Sequence, residues 1–265
     1  MLSKFKDYLL INGNSFNTAQ NYVQRIEKLL REISIDNLSE DTINNYLRIL
    51  QQKVSPSTFN GYIFAFKAFL IFLKKDIILP KVSRPIQTLP ESFDEKYFEE
   101  EIIPTLEQIT KTDFLKFRAI FYFLFYSGIR IGEINKIKRD DFDLKLNRVK
   151  VLMPKTKRER IVFFTDKTNE HIKEYFDSEP EEINAFNITS NSIKQRMKEY
   201  KQYFPNINLH CHLFRHAFAM NLLKKGIDLF SVSQLLGHKD IKTTTRYLGL
   251  TVDNLQEIYN KKMNK

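Results

Sequence analysis

Over the first 78 residues, apolar side chains recur at spacings of three and four, in FKDYLL, YVQRIEKLLREI and TINNYLRIL. That period is one face of an α-helix, so three amphipathic helices are predicted. A fourth opens at Ser55-Pro56, a capping side chain followed by proline at the first helical position, and runs through STFNGYIFAFKAFLIFLKK. The periodicity then stops. The stretch ILPKVSRPIQTLPE carries Pro80, Pro85 and Pro90 and reads as an extended connection, which divides the chain near residue 86 into units of 1–86 and 87–265.

In the second unit the pattern predicts a helix from about Thr112 to Tyr126 that stops at Gly128, then a short helix from Arg130. Its uninterrupted apolar run AIFYFLFY, Ala119 to Tyr126, is far shorter than the ~20 residues needed to cross a bilayer and reads as a buried helix. RVKVLM and RIVFF are rich in β-formers and are joined by PKTKRE, so they form a hairpin with a basic tip. Helices resume in DKTNEHIKEYF, SNSIKQRMKEYKQYF, HLFRHAFAMNLLKK, DLFSVSQLL and around TTTRYL. The predicted fold class is mainly α: a four-helix N-terminal domain, and a mostly helical second domain with a small antiparallel sheet.

Charge narrows the choice of partner. The 265 residues carry a formal +10, distributed as 12 bases against 7 acids in residues 1–90 and 29 against 18 beyond residue 107, with seven acids and one base between them. Two basic blocks flanking a short acidic segment favour a polyanion such as nucleic acid. The single cysteine excludes an internal disulfide framework, and no cationic start leads into an apolar secretion segment, so a reducing cytoplasm is expected.

The candidate chemistry centres on HCHLFRHAFAM, residues 210 to 220. His210, Cys211, His212 and His216 are metal-ligand types, but adjacent residues point in different directions and no second cluster completes a tetrahedron. An apolar face of Leu213, Phe214, Ala217, Phe218 and Leu222 accounts for the helix and leaves His212 and Arg215 unexplained. SGIRIGEI adds Arg130 directly after a glycine stop. LLGHKDIKTTTRYLG adds His238 at a second glycine stop and Tyr247 beyond a threonine run, and the hairpin tip adds Lys155. Two arginines, a lysine, two histidines and a tyrosine suit phosphodiester cleavage. That reaction needs an oxygen nucleophile, neutralisation of the non-bridging oxygens, and a proton for the leaving alkoxide. Guanidinium forks bind phosphate bidentately and stay charged.

These segments, in this order, resemble the R, K, HxxR, H and Y motifs of the tyrosine recombinases, the Xer and phage integrase family, most closely its compact Xer-type members. The resemblance implies a core-binding (SAM-like) DNA clamp in residues 1–86 and a catalytic domain in 87–265. It implies Tyr247 as nucleophile forming a 3′-phosphotyrosyl link, Arg130 and Arg215 as the phosphate clamp, and Lys155 as the acid for the 5′ oxygen. His212 and His238 would position the phosphate and assist proton transfer. It also implies double-stranded DNA as partner, a monomer that assembles as a homotetramer on paired sites, strand exchange through a Holliday junction, and no cofactor or divalent ion. Tasks such as chromosome partition and mobile-element integration fall within the family. Glu133 completes its RxxE pattern. One departure stands in the first unit: Gly61 and Tyr62 replace an arginine common after ST-x-N. Two other readings remain: a non-enzymatic regulator, because HLFRHAFAMNLLKK-Gly226-DLFSVSQLL resembles a helix-turn-helix, and a type IB topoisomerase, which uses similar groups.

Overall fold

A computed structural model describes residues 1–82, 90–110, 113–153, 158–238, 240–247, 259, 260 and 263. Two compact units, Met1–Gln87 and Thr88–Lys265, emerge from the packing.

The first unit holds helices α1 (Leu2–Ile11), α2 (Phe16–Glu32), α3 (Glu40–Lys53) and α4 (Pro56–Phe72). Serine hydroxyls start three of them: Ser15, Ser39 and Ser55 each accept a hydrogen bond from the backbone N–H three residues on, relieving amides that have no partner inside the helix. Phe5, Leu9, Ile26, Leu29, Ile43, Leu47, Phe66 and Phe69 close the core between them. The Gly61-Tyr62 departure has a local use. Arg25 on α2 donates from Nη1 to the Gly61 carbonyl at 2.9 Å, and its guanidinium lies 5.3 Å from the Tyr62 ring centroid. A Cβ at position 61 would stand 2.6 Å from that Nη1.

The second unit is built around α7 (Phe114–Ser127), whose residues Ala119 to Phe125 are all buried. Burial on every side explains why AIFYFLFY shows no polar face. The acidic segment is itself helical: α5 (Glu95–Tyr97) runs through a π-helical turn at Phe98–Ile102 into α6 (Ile103–Thr110). Phe98, Ile102 and Leu106 pack inward without exposure. Its carboxylates are used internally. Tyr122 donates to Glu99 at 2.5 Å and Tyr126 to Glu95 at 2.7 Å, while Lys167 and Lys225 pair with Glu99 and Glu95 at 2.7 and 3.0 Å. The acids thus fasten α5 and its π-helical extension to α7 instead of forming a solvated linker.

A four-residue helix α8 (Ile131–Ile134) leads into the sheet of β1 (Phe142–Asp143), β2 (Arg148–Met153) and β3 (Arg158–Phe163), in the order β1-β2-β3 and antiparallel throughout. The β2–β3 register pairs Arg148 with Phe163 and Met153 with Arg158, which is the predicted hairpin. The two-residue strand β1 is an addition that sequence patterning did not suggest. Then follow α9 (Asp166–Ser178), α10 (Ser190–Tyr200), α11 (Cys211–Lys224) and α12 (Leu229–Leu236), and two single 3-10 turns, Ile241–Thr243 and Thr245–Tyr247. No helix among the described residues is long and apolar enough to cross a membrane.

Candidate active site

Two glycines end helices in the left-handed conformation, Gly128 after α7 (φ 59°) and Gly237 after α12 (φ 63°). A helix C-terminus leaves carbonyls without intrahelical donors and carries partial negative charge. Arginines from elsewhere in the chain meet these carbonyls. Arg215 on α11 donates from Nη1 to Gly128 O at 2.5 Å and from Nη2 to Leu236 O at 2.6 Å. Arg130, the residue preceding α8, donates from Nη2 to Gly237 O at 2.9 Å. The two stops, distant in sequence, are therefore bridged by the two arginines expected to form the clamp.

Glu133 holds the arrangement from behind. It is 2% exposed, accepts the Arg130 backbone N–H at 2.9 Å, and lies 3.4 Å from Arg130 Nη1. On its other side Arg160 of β3 donates from Nη2 at 3.0 Å and from Nη1 to Leu235 O, also at 3.0 Å. One buried carboxylate thus faces two guanidiniums, with Arg215 as a third cation nearby. Burial, then the Arg130 and Arg160 charges, lower the Arg215 guanidinium to about 9. The cluster carries a surplus of positive charge, whose natural complement is an anion. Each clamp arginine spends two of its five N–H donors on these anchors, so donors remain for a ligand.

Tyr247 lies in this same region. Its ring is 2% exposed and packs with Phe218, Met220, Leu223, Val232 and Leu236. Its phenol acts electrostatically on Arg215, and its hydroxyl lies 2.7 Å from His216 Nδ1. His238 follows Gly237 directly, and its Nδ1 is 2.6 Å from the Thr244 hydroxyl. Thr244 is fully buried, and its carbonyl accepts the Tyr247 N–H at 3.0 Å. His238 is in this way tied to the turn that carries the tyrosine.

His212 and Arg215, three residues apart on α11, differ in burial. Three residues leave about 60° between them around the helix, and Arg215 turns inward while His212 is exposed. Partial desolvation, then the Arg215 charge, lower the His212 pKa. The structure thus brings Arg130, Arg215, His238 and Tyr247 into one neighbourhood, with His212 at its outer edge. Lys155, on the hairpin tip, lies outside the described residues.

The cysteine and histidines around α11 diverge. Cys211 Sγ turns to Met197 Sδ at 3.3 Å, with its thiol pushed up by burial to about 11. His210 Nδ1 is 2.5 Å from Asn208 O, and His216 turns to Tyr247. Among the described residues no three metal-ligating side chains converge.

Three contributors lie outside the sequence motifs. His216 reads from the sequence only as a metal-ligand type, although it lies one turn from His212 on the same face, with ring centroids 6.3 Å apart. Arg160 shares the inward side of β3 with Val162, so strand alternation could have marked it as a buried cation. Thr244 carried no signal beyond its place in a threonine run.

Comparison with known proteins gives a consistent set. The phage integrase family model matches residues 96–253, and the phage integrase N-terminal SAM-like domain matches residues 2–76. Tyrosine recombinase XerA of Saccharolobus solfataricus is 28% identical, covering 99% of this chain and 92% of that protein. Tyrosine recombinase XerC of Staphylococcus carnosus is 30% identical over 81% of this chain and 78% of its own length. Among solved structures, XerH site-specific recombinase in a post-cleavage complex with a palindromic difH substrate shares the fold, with a TM-score of 0.74 at 17% identity, covering 92% of this chain and 79% of that one.

Proposed function

The chain belongs to the phage integrase family, as a tyrosine recombinase, and from that premise we propose that it cleaves and rejoins double-stranded DNA at a specific site through a covalent link to Tyr247. The observation that carries this reading is the convergence of Arg130, Arg215 and Tyr247, drawn from three parts of the chain, in one cationic cluster. A phosphodiester meeting the cluster would take the remaining donors of both arginines, and His212 and His238 would line its flanks. Fixed guanidiniums aimed at non-bridging oxygens stabilise the extra charge of a five-coordinate phosphorus without reorganising.

Tyr247 Oη attacks phosphorus, the bond to the 5′ oxygen breaks, and Lys155 supplies the proton that leaves with that oxygen. The 3′-phosphotyrosyl link preserves the bond energy, so the free 5′-hydroxyl of a second strand can reverse the step. Two rounds of such exchange produce and resolve a Holliday junction, which calls for four protomers on two paired sites. No cofactor or divalent ion has a step to perform in this scheme. The phenol is buried in the described state, with His216 Nδ1 2.7 Å from its oxygen. In the first unit, α2 and α4 are proposed to contact the DNA backbone.

The test is a nicked duplex whose short fragment diffuses away after cleavage and traps the covalent complex. Protein-linked DNA should form without Mg²⁺ for the wild type and not for Tyr247→Phe, while both bind the duplex equally. An adduct persisting in the phenylalanine variant removes Tyr247 from the role. Equal binding with no adduct in the wild type favours the helix-turn-helix regulator. Affinity should also fall by ~0.9 log units per phosphate contact for each decade of salt.

A further inference from the structure

Three histidines surround the clamp, and the structure separates what they touch. His238 Nδ1 is engaged with the Thr244 hydroxyl at 2.6 Å. His212 faces outward at the start of α11. His216 is placed against the phenol, its Nδ1 2.7 Å from Tyr247 Oη and its ring edge-on at 5.7 Å between centroids. A phenol of ordinary pKa about 10 is almost wholly protonated at neutral pH. Its oxygen becomes a competent nucleophile when a base within hydrogen-bond distance removes the proton. Arg215, the residue before His216, is held by two backbone carbonyls, so the segment presenting the imidazole is fixed at the clamp itself.

We propose that His216 is a catalytic residue, the general base that takes the Tyr247 proton during attack and returns it during rejoining. This assignment rests on the recombinase reading above. As the Oη–P bond forms and the P–O5′ bond breaks, the phenol proton passes to His216 Nδ1, whose ring hydrogen is on Nε2. The 5′ oxygen departs with the proton of the acid proposed at Lys155. In rejoining, the incoming 5′-hydroxyl gives its proton to that amine, and His216 protonates the departing phenolate, so both groups return to their starting states. A bound phosphate offsets the surplus cationic charge of Arg130, Arg160 and Arg215, and so accommodates the imidazolium formed during attack.

The experiment uses single-turnover adduct formation by the full chain on two nicked duplexes. One has the natural 5′ oxygen, and the other has sulfur in the bridging 5′ position. A thiolate leaves without an acid, so sulfur isolates the nucleophile's half of the reaction. His216→Asn keeps a hydrogen-bonding group near the phenol and accepts no proton. It should form adduct 10²- to 10³-fold more slowly than wild type on both duplexes, whereas Lys155→Ala should be slow with oxygen and restored by sulfur. His216→Gly should be partly rescued by added imidazole, which carries the test if the asparagine variant shows no cooperative melting. A rate for His216→Asn within about threefold of wild type, or restoration of the His216 variants by sulfur, overturns the assignment while leaving the recombinase reading intact. A wild type that forms no adduct on either duplex overturns both.

Discussion

Removing the charge of Glu133 is the sharpest structural perturbation available in the cluster. Glu133→Gln keeps the size and one acceptor, and turns an amide donor toward a guanidinium that previously met a carboxylate. The native carboxylate is 2% exposed and contacts Arg130 at 3.4 Å and Arg160 at 3.0 Å. Deleting one member of a buried ion pair costs about 3–5 kcal/mol, because the other charge is left desolvated. The Arg130 side chain is 37% exposed and regains water, whereas Arg160 at 10% does not. The lower end, about 3 kcal/mol, is therefore expected. For a unit of this size that lowers the melting temperature by about 6–12 °C. Thermal unfolding followed by circular dichroism measures it. A second variant checks the cause. Arg160→Met in the Glu133→Gln background removes the orphaned cation and should recover about 1–2 kcal/mol of the loss. A melting temperature within about 2 °C of wild type for Glu133→Gln, or strictly additive losses in the double variant, would refute the claim that this carboxylate holds the two arginines together.

Further outcomes follow from the same geometry. Gly128→Ala forces a side chain into φ 59° and places its Cβ 2.2 Å from Phe218 Cδ1, so urea unfolding should show a loss of about 2–4 kcal/mol; an unchanged midpoint would contradict the packing at this stop. His171 is partly buried against Tyr122, with ring centroids 4.1 Å apart, and neither ring nitrogen has a hydrogen-bond partner among the described residues. Desolvation, then the Arg118 charge, depress its pKa below 6.5. The unfolded chain therefore binds this proton first, and the stability His171 contributes above pH 6.5 is lost as pH falls from there through the depressed value. His171→Phe should flatten that part of the stability profile, and an identical slope in the variant would show that another group causes it. Glu95, lowered chiefly by the Tyr126 hydrogen bond and then by Lys225, acts in the same direction at lower pH: its contribution is complete above about 4.5 and declines below. Glu95→Gln should lessen the fall in melting temperature below pH 4.5.

Helical period exposed α1 to α4 and the Ser55-Pro56 start because those features are local: three or four residues carry the signal. The same holds for the glycine stops at 128 and 237 and for the β2–β3 hairpin. The π-helical turn at Phe98–Ile102 was not legible, since it answers to tertiary packing of Phe98 and Ile102. Motif spacing marked Arg130, Arg215, His238 and Tyr247. It could not show that Arg215 is anchored on carbonyls at both glycine stops and Arg130 on the Gly237 carbonyl, because contacts such as Arg215–Gly128 and Arg130–Gly237 join positions 87 and 107 residues apart. Nor could it rank His212 against His216. Both occupy one helix face, and which ring meets the phenol depends on where the Thr245–Tyr247 turn lands.

The central claim is that the 247 phenol and the 130 and 215 guanidiniums act on the same phosphorus atom. Digesting the trapped protein–DNA complex with nuclease and protease and sequencing the modified peptide by mass spectrometry tests it directly. The account predicts a nucleotide attached through its 3′-phosphate to Tyr247. A 5′ linkage, or attachment at another side chain such as the exposed Tyr259, would contradict it.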